Sequence, residues 1–263
     1  MHCAPHRQPR VFQQAPCPPL RPFVQRFMVV EFDAAHEDTH LPDTATVAAF
    51  SFRGRCRQDA GEAVPLAAFT GLRDRLRAHQ HEAGHSVLLA VFSPVGAAAF
   101  LRPSQAEFAG ATVDLGDALA SAGELDRLHE QIATANDHPQ RVRQLEAFLL
   151  ARLGAATPDP LIAAAVTWLQ RQPASQRIDA LTRHIGLSQS ALERRFKRVV
   201  GVSPKKFATM LRLQRAIGLH GAGGGLAELA LAAGYYDQAH FNHDFHRATG
   251  RTPSAFFAAC EPA

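Results

Sequence analysis

The sequence predicts an α+β chain in which a β-containing N-terminal domain precedes an all-α domain with two helix-turn-helix units. Three observations carry this prediction. One plan of about 49 residues is written twice between Ile178 and Phe257. β-rich, partly alternating runs are confined to the first 110 or so positions. The stretch Gly-Ala-Ala-Thr-Pro-Asp-Pro from Gly154 to Pro160 has the composition of a linker. The expected division is a sensory or regulatory domain over 1–153, a linker over 154–160, and the double-unit domain over 161–263.

Composition agrees with this frame. At 263 residues and 46% hydrophobic, the chain is long and apolar enough for a core in each of two domains. No apolar run approaches the roughly 18 residues of a membrane span. The start, Met1 to Leu20, is rich in Pro, Gln, His and Arg and has no apolar signal core, so no secretion is expected. Cysteines at 3, 17, 56 and 260 show no metal or redox spacing. Reduced thiols and a cytoplasmic location are the expectation. Neither Cys3 nor Cys17 has the basic neighbours of an activated thiolate.

In order along the chain, Phe23 to Phe32 reads as a strand, and His36 to Asp43 as a polar connection ending in a Leu-Pro-Asp turn. Ala45 to Arg53 alternates clearly, with Thr46, Ala48, Phe50 and Phe52 on one face. Val64 to Leu72 reads as a short strand. Ser86 to Ser93 is a strongly apolar strand, broken at Pro94-Val95-Gly96 and followed by a short helix over Ala97 to Leu101. His79, His81 and His85 fall within seven residues, with His36 and His40 nearby in sequence. Such groups can hold zinc or another divalent metal. Their spacing fits no single helix face, so a histidine-rich surface loop is the expected reading and no metal ligand is assigned. Asp117 to Asn136 and Pro139 to Leu153 read as two helices that complete the domain or pack against a twin in a dimer. Leu161 to Gln170 is the first helix after the linker, with Ile162, Val166 and Leu169 facing inward and Trp168 as an anchor.

The repeat follows. Its first copy runs Gly186, Leu192, Phe196, Gly201, Ser203-Pro204, Phe207; its second runs Gly234, Phe241, Phe245, Gly250, Thr252-Pro253, Phe256. Pairs from Leu192/Phe241 onward are 49 residues apart, whereas Ile178, Leu181 and Ile185 match Leu226, Leu229 and Ala233 at 48. Each copy reads as helix, glycine turn, helix. Ser188 and Asp237 are N-caps of the second helices, and Ser203 and Thr252 cap the helices that follow, each with proline at the first position. The buried stripes are Leu192, Phe196 and Val199 in one copy, and Phe241, Phe245 and Ala248 in the other.

These stripes leave Gln189, Ser190, Glu193, Arg194, Lys197 and Arg198 outward on one second helix. On the other they leave Gln238, Ala239, Asn242, His243, His246 and Arg247. A polar helix face is usually only solvated. Two such faces recurring in register, with side chains suited to base edges and phosphates, point to recognition helices. Charge agrees: Arg177 to Arg251 holds twelve Lys+Arg against five Asp+Glu, a net of +7, and the rest of the chain is −3. A basic module beside a slightly acidic one is an electrostatic footprint for nucleic acid. No phosphate-cradling glycine loop or nucleophile elbow occurs, so no enzyme is expected.

The C-terminal region resembles the DNA-binding domain of AraC/XylS-type transcription regulators. The residues that carry the resemblance are Gly186-Leu187-Ser188 through Phe196-Lys197, and Gly201-Val202-Ser203-Pro204-Lys205-Lys206-Phe207. A second set is Leu229 to Phe241, then Phe245 and Gly250-Arg251-Thr252-Pro253. The resemblance covers about the last 100 residues and implies two helix-turn-helix units joined by a long helix, here Pro204 to about Gly218, reading successive major grooves. The joining helix should set Phe207, Met210, Leu211 and Ile217 on one side. The N-terminal region also resembles that of one AraC-type subgroup, through Pro19-Leu20-Arg21-Pro22-Phe23-Val24, Leu41-Pro42-Asp43 and Phe92-Ser93-Pro94-Val95-Gly96. Ala239 stands where the family commonly has serine, and Gly221 to Gly225 makes a looser entry to the second unit.

The resemblance implies double-stranded DNA as partner and transcription regulation as function. RNA polymerase, a small-molecule effector acting on residues 1–153, and a second copy of the chain are the further partners it leaves open; no cofactor and no membrane are expected. Gln189, Ser190, Glu193 and Arg194 are assigned to one groove, and Gln238, Asn242 and His243 to the next. Lys197, Arg198, Lys205 and Arg247 are assigned to phosphates, with His240 supporting a backbone contact. The alternative is a metal-sensing regulator that uses the N-terminal histidines.

Overall fold

The structure is a computed structural model that describes residues 8–59, 61–119, 122–154, 156–171, 178–220 and 225–258. Cys3, Cys260 and the glycines from Gly221 to Gly224, singled out above, lie outside them.

Among the described residues, ten strands form two antiparallel sheets. The strands are β1 (Arg10–Gln14), β2 (Val24–Glu31), β3 (His36–His40), β4 (Val47–Arg53), β5 (Cys56–Gln58), β6 (Glu62–Ala63), β7 (Ala67–Thr70), β8 (Arg77–His81), β9 (Ser86–Phe92) and β10 (Thr112–Asp114). The large sheet has the order β1-β2-β9-β4-β7-β10, and the small one β3-β8-β5-β6. Among the described residues the α-helices that follow are α1 (Leu115–Leu119), α2 (Ala122–Thr134), α3 (His138–Leu153), α4 (Pro160–Arg171), α5 (Ile178–Ile185), α6 (Gln189–Val200), α7 (Pro204–Leu219), α8 (Leu226–Ala233), α9 (Gln238–Thr249) and α10 (Pro253–Ala258). The chain is therefore a β-rich N-terminal region followed by a helical C-terminal domain.

The large sheet is ordered by its apolar strands. β9 pairs with β2 on one side and β4 on the other, so Leu88 and Ala90 sit between Phe27 and Val29 on one strand and Ala48 and Phe50 on the other. All are buried, and α2 and α3 close this core with Leu125, Leu128, Ile132, Val142, Leu145 and Leu149. The free space left between sheet and helices is about 20 Å3.

Two expectations need correction. His36 to His40 is not a connection but strand β3, paired with β8. Both strands lack apolar alternation because their inward face is polar, so the hydrophobic period that reveals strands is missing. The short strands β1, β5, β6 and β10 escaped for a related reason: each has few apolar residues. The helix expected over Asp117 to Asn136 corresponds to α1 and α2, with 120–121 between them outside the described residues.

The C-terminal helices build two further cores. Ile162, Val166, Leu169, Leu181, Leu192, Phe196, Phe207 and Met210 belong to one; Leu213, Ala216, Ala230, Ala233, Phe241, Phe245 and Phe257 belong to the other. Helix α7 contributes to both. Its Phe207, Met210 and Leu211 pack on the first unit, while Leu213, Ala216 and Ile217, further along, pack on the second. One rigid helix thus serves as the wall of both units and fixes their relation. The first of these cores also takes in Leu72 and Val95 from the β region.

Candidate nucleic-acid interface

Each recognition helix starts and stops where its sequence dictates. Ser188 accepts from Ala191 N at 3.4 Å, and Asp237 accepts from His240 N at 2.7 Å. These side chains satisfy N–H groups that the first helical turn leaves unpaired. At the far ends Gly201 (φ +100°) and Gly250 (φ +73°) take the left-handed conformation and close the helices onto Lys197 O and His246 O. Ser203 then accepts from Lys206 N at 3.3 Å and Thr252 from Ala255 N at 3.4 Å, starting the next helices.

With Leu192, Phe196 and Val199 buried, α6 exposes Gln189, Ser190, Arg194, Lys197 and Arg198, and leaves Glu193 half-buried. Gln189 Nε2 donates to Glu193 Oε1 at 3.1 Å, which holds both side chains along the helix. On α9, Gln238, His240, His243, His246 and Arg247 are exposed and Asn242 is half-buried. The Asn242 Oδ1 is buried without a hydrogen-bond partner, so this amide is turned partly inward. Lys205 is exposed at the start of α7.

One cleft brings the two units together. It is lined by Gln189 from α6, by Lys205, Ala208, Thr209 and Arg212 from α7, and by His240, His243, Asp244 and Arg247 from α9. The start of α6 and one face of α9 therefore border the same cleft beside the joining helix. Arg194, Lys197 and Arg198 line a second, open groove beside Ser104 of the β region. Arg198 also faces the connection at 156–160.

The sequence reading missed what holds these helices at their bases. The repeat places Arg195 and Asp244 at equivalent positions, 49 residues apart. Arg195 Nε donates to Asp159 Oδ2 at 2.5 Å, and the other oxygen of Asp159 caps α4 by accepting from Leu161 N and Ile162 N at 3.1 and 3.2 Å. Asp244, buried to 6% exposure, is surrounded by Arg247 at 3.2 Å, His240 Nε2 at 3.4 Å and Arg212 at 3.8 Å. Arg212 in turn lies 5.2 Å over the Tyr235 ring. His240 and Arg247 thus lean on a buried carboxylate as well as lining the cleft. The signal that could have found this pair is a base and an acid at one repeat position, each directly before a buried phenylalanine, Phe196 or Phe245.

The N-terminal histidines are also placed differently from expectation. They do not lie in a surface loop: His79, His81 and His85 are 8%, 9% and 1% exposed. His79 and His81 belong to β8, opposite Asp38 and His36 of β3. Burial holds His79 and His85 down to about 4, so both rings are neutral near pH 7. Burial would raise Asp38, but hydrogen bonds from His40 and His81 outweigh it and hold the carboxyl well below its usual range.

The site is thus two helix-turn-helix units on a shared helix, each with an exposed polar face on its second helix. Comparisons with known proteins found the following similarities. Residues 181–259 match the family described as a helix-turn-helix domain, and residues 13–114 match a domain family of unknown function, DUF6597. AraC-like transcription regulators from Streptomyces antibioticus and Streptomyces lividans are each 33% identical over 104 residues, which is 39% of this chain and 34% of theirs. The chain thus spans about a third of the length of these relatives. Among solved structures, the DNA-binding domain of AdpA in complex with a target DNA is similar at 24% identity and a TM-score of 0.36, over 37% of this chain and 90% of that one. ToxT from Vibrio cholerae is similar at 9% identity and a TM-score of 0.44, over 95% of this chain and 97% of that one. Over residues 181–259 the chain is thus similar to helix-turn-helix domains, and over 104 residues to AraC-like regulators.

Proposed function

We propose that the chain is a sequence-specific, double-stranded DNA-binding transcription regulator whose α6 and α9 read successive major grooves. The observation that carries this reading is the pair of exposed polar faces on α6 and α9 in two units built on one helix, α7, with Gln189 at the start of α6 and His240, His243 and Arg247 of α9 bordering a common cleft. Ser190 and Arg194 on the outward face of α6, with Gln189 and Glu193 beside them, are the readers of one groove. Gln238 and His243 are those of the next, with Asn242 in a lesser part because its amide oxygen is buried. Lys197, Arg198, Lys205 and Arg247 take phosphates and set register, and His240 supports them. The division of labour at 154–160 belongs to this proposal, as does modulation by an effector or by dimerisation through residues 1–153. Contacts from Asp43, Asp74 and Leu76 to the helical domain support it, since a change in the β region would be felt at α7 and α9.

A titration of the full chain against a specific and a scrambled duplex, over a range of salt, tests the reading. Specific regulators bind their site about 10³–10⁷-fold more tightly than other DNA, with a salt slope near −0.9 per phosphate neutralised. Equal affinity for every duplex would overturn it.

A further inference from the structure

The inward face of the small sheet carries a cluster that DNA reading does not use. Strand alternation puts His36, Asp38 and His40 of β3 on one face, and the β3–β8 register sets His79 opposite Asp38 and His81 opposite His36. The donor atoms of Asp38, His40 and His79 lie within 4.8 Å of one another. His40 Nε2 is 3.1 Å and His79 Nδ1 4.0 Å from Asp38 Oδ1. Four ligands at about 2.0–2.1 Å in a tetrahedron stand roughly 3.3 Å apart, so these atoms need move by under about 1 Å to share an ion.

A second observation points the same way. His79 is more than nine-tenths buried, and its Nδ1 faces this cluster without a hydrogen-bond partner. Buried polar atoms are satisfied in the great majority of cases, and an orphan calls for a missing partner.

Asp38 is also held in place from behind. Ser51 Oγ lies 3.0 Å from His85 Nε2, His85 Nδ1 lies 2.9 Å from His81 Nδ1, and His81 Nε2 lies 3.4 Å from Asp38 Oδ1. One proton order satisfies the whole chain: Ser51 donates to His85, His85 to His81, and His81 to the carboxylate. Outer partners of this kind fix ligand orientation in metal sites. The nearby cation is Arg73, and the Asp38 charge opposes it at His79.

We propose that Asp38, His40 and His79 form a binding site for one divalent transition-metal ion of the zinc class, with a fourth position open. Two imidazoles and one carboxylate suit a borderline metal and disfavour magnesium. The inference stands apart from the DNA reading. It gives the β region a ligand of defined chemistry, where the core between the large sheet and its helices leaves only about 20 Å3.

The test is calorimetric titration of untagged, chelator-treated full chain with Zn2+ and, separately, Mg2+, together with the visible spectrum of the Co2+ form. The expected result is one saturable Zn2+ site, Co2+ bands of tetrahedral intensity, and no Mg2+ binding. His79→Ala and Asp38→Asn should each weaken Zn2+ at least ~10-fold, whereas His246→Ala, on α9, should leave it unchanged. His40→Ala guards against a folding artefact, because the His40 side chain is 55% exposed, and it should weaken Zn2+ to a similar degree with an unchanged circular dichroism spectrum. No saturable Zn2+ site, or a site that survives in both His40→Ala and His79→Ala, would overturn the proposal.

Discussion

The backbone N–H of Leu76 donates to the carbonyl oxygen of Ala248 at 2.8 Å, joining the β region to the last turn of the second recognition helix. It does not act alone. Lys206 of α7 is ion-paired with Asp74, and Gln214 Nε2 donates to Asp43 Oδ1 at 2.9 Å. Truncating both acids, Asp43→Ala with Asp74→Ala, should lower stability by about 1–2 kcal/mol, since an exposed ion pair and an exposed hydrogen bond to a carboxylate are each worth about 1 kcal/mol. Urea denaturation of the full chain measures this. A double variant as stable as the parent would mean that these contacts do not hold the two parts together.

Asp244 should be the most sensitive polar position in the helical domain. It is buried among Arg212, His240 and Arg247, so its removal leaves cations facing a desolvated gap. Asp244→Ala should cost about 3–5 kcal/mol. The loss should appear in chemical denaturation, and weaker DNA binding should accompany it because α9 loses its support.

Arg194 and Lys205 should fail in different ways. Arg194→Ala should cost about 1–3 kcal/mol on the cognate duplex and little on others, because a base contact discriminates. Lys205→Ala should weaken all duplexes alike and reduce the salt slope by about 1. Titrations of both variants on matched and mismatched sites separate the roles. Equal loss for Arg194→Ala on every sequence would remove it from the readers.

Gly201 is constrained from two directions. Its φ of +100° suits glycine, and a Cβ there would stand 3.0 Å from Gln105 O of the β region. Gly201→Ala should destabilise by about 1–3 kcal/mol, measurable as a lower midpoint in a thermal or urea melt. A neutral effect would show that the turn can shift away from Gln105.

The double unit was legible because its signals are local and repeated. Glycine turns, Ser188 and Asp237 caps, and apolar stripes at helical spacing each specify a boundary, and the second copy checks the first. The central strands β2, β4 and β9 were legible from apolar content. The small sheet was not, because β3 and β8 turn histidines and an aspartate inward and leave no apolar period to read. The spacing His79-x-His81 fitted alternation but was weighed against a helix. The network around Asp244 and Arg195 was also hidden, since those charges look solvated until the helices they tie together are in place.

If one chain reads two grooves through α6 and α9, selection of bound sequences from a random duplex pool by the full chain shows it most directly. A bipartite motif is expected, with parts about one helical turn apart. Arg194→Ala should erase information in one part and His243→Ala in the other. A pool without an enriched motif, or a single undivided motif unaffected by His243→Ala, would contradict this reading.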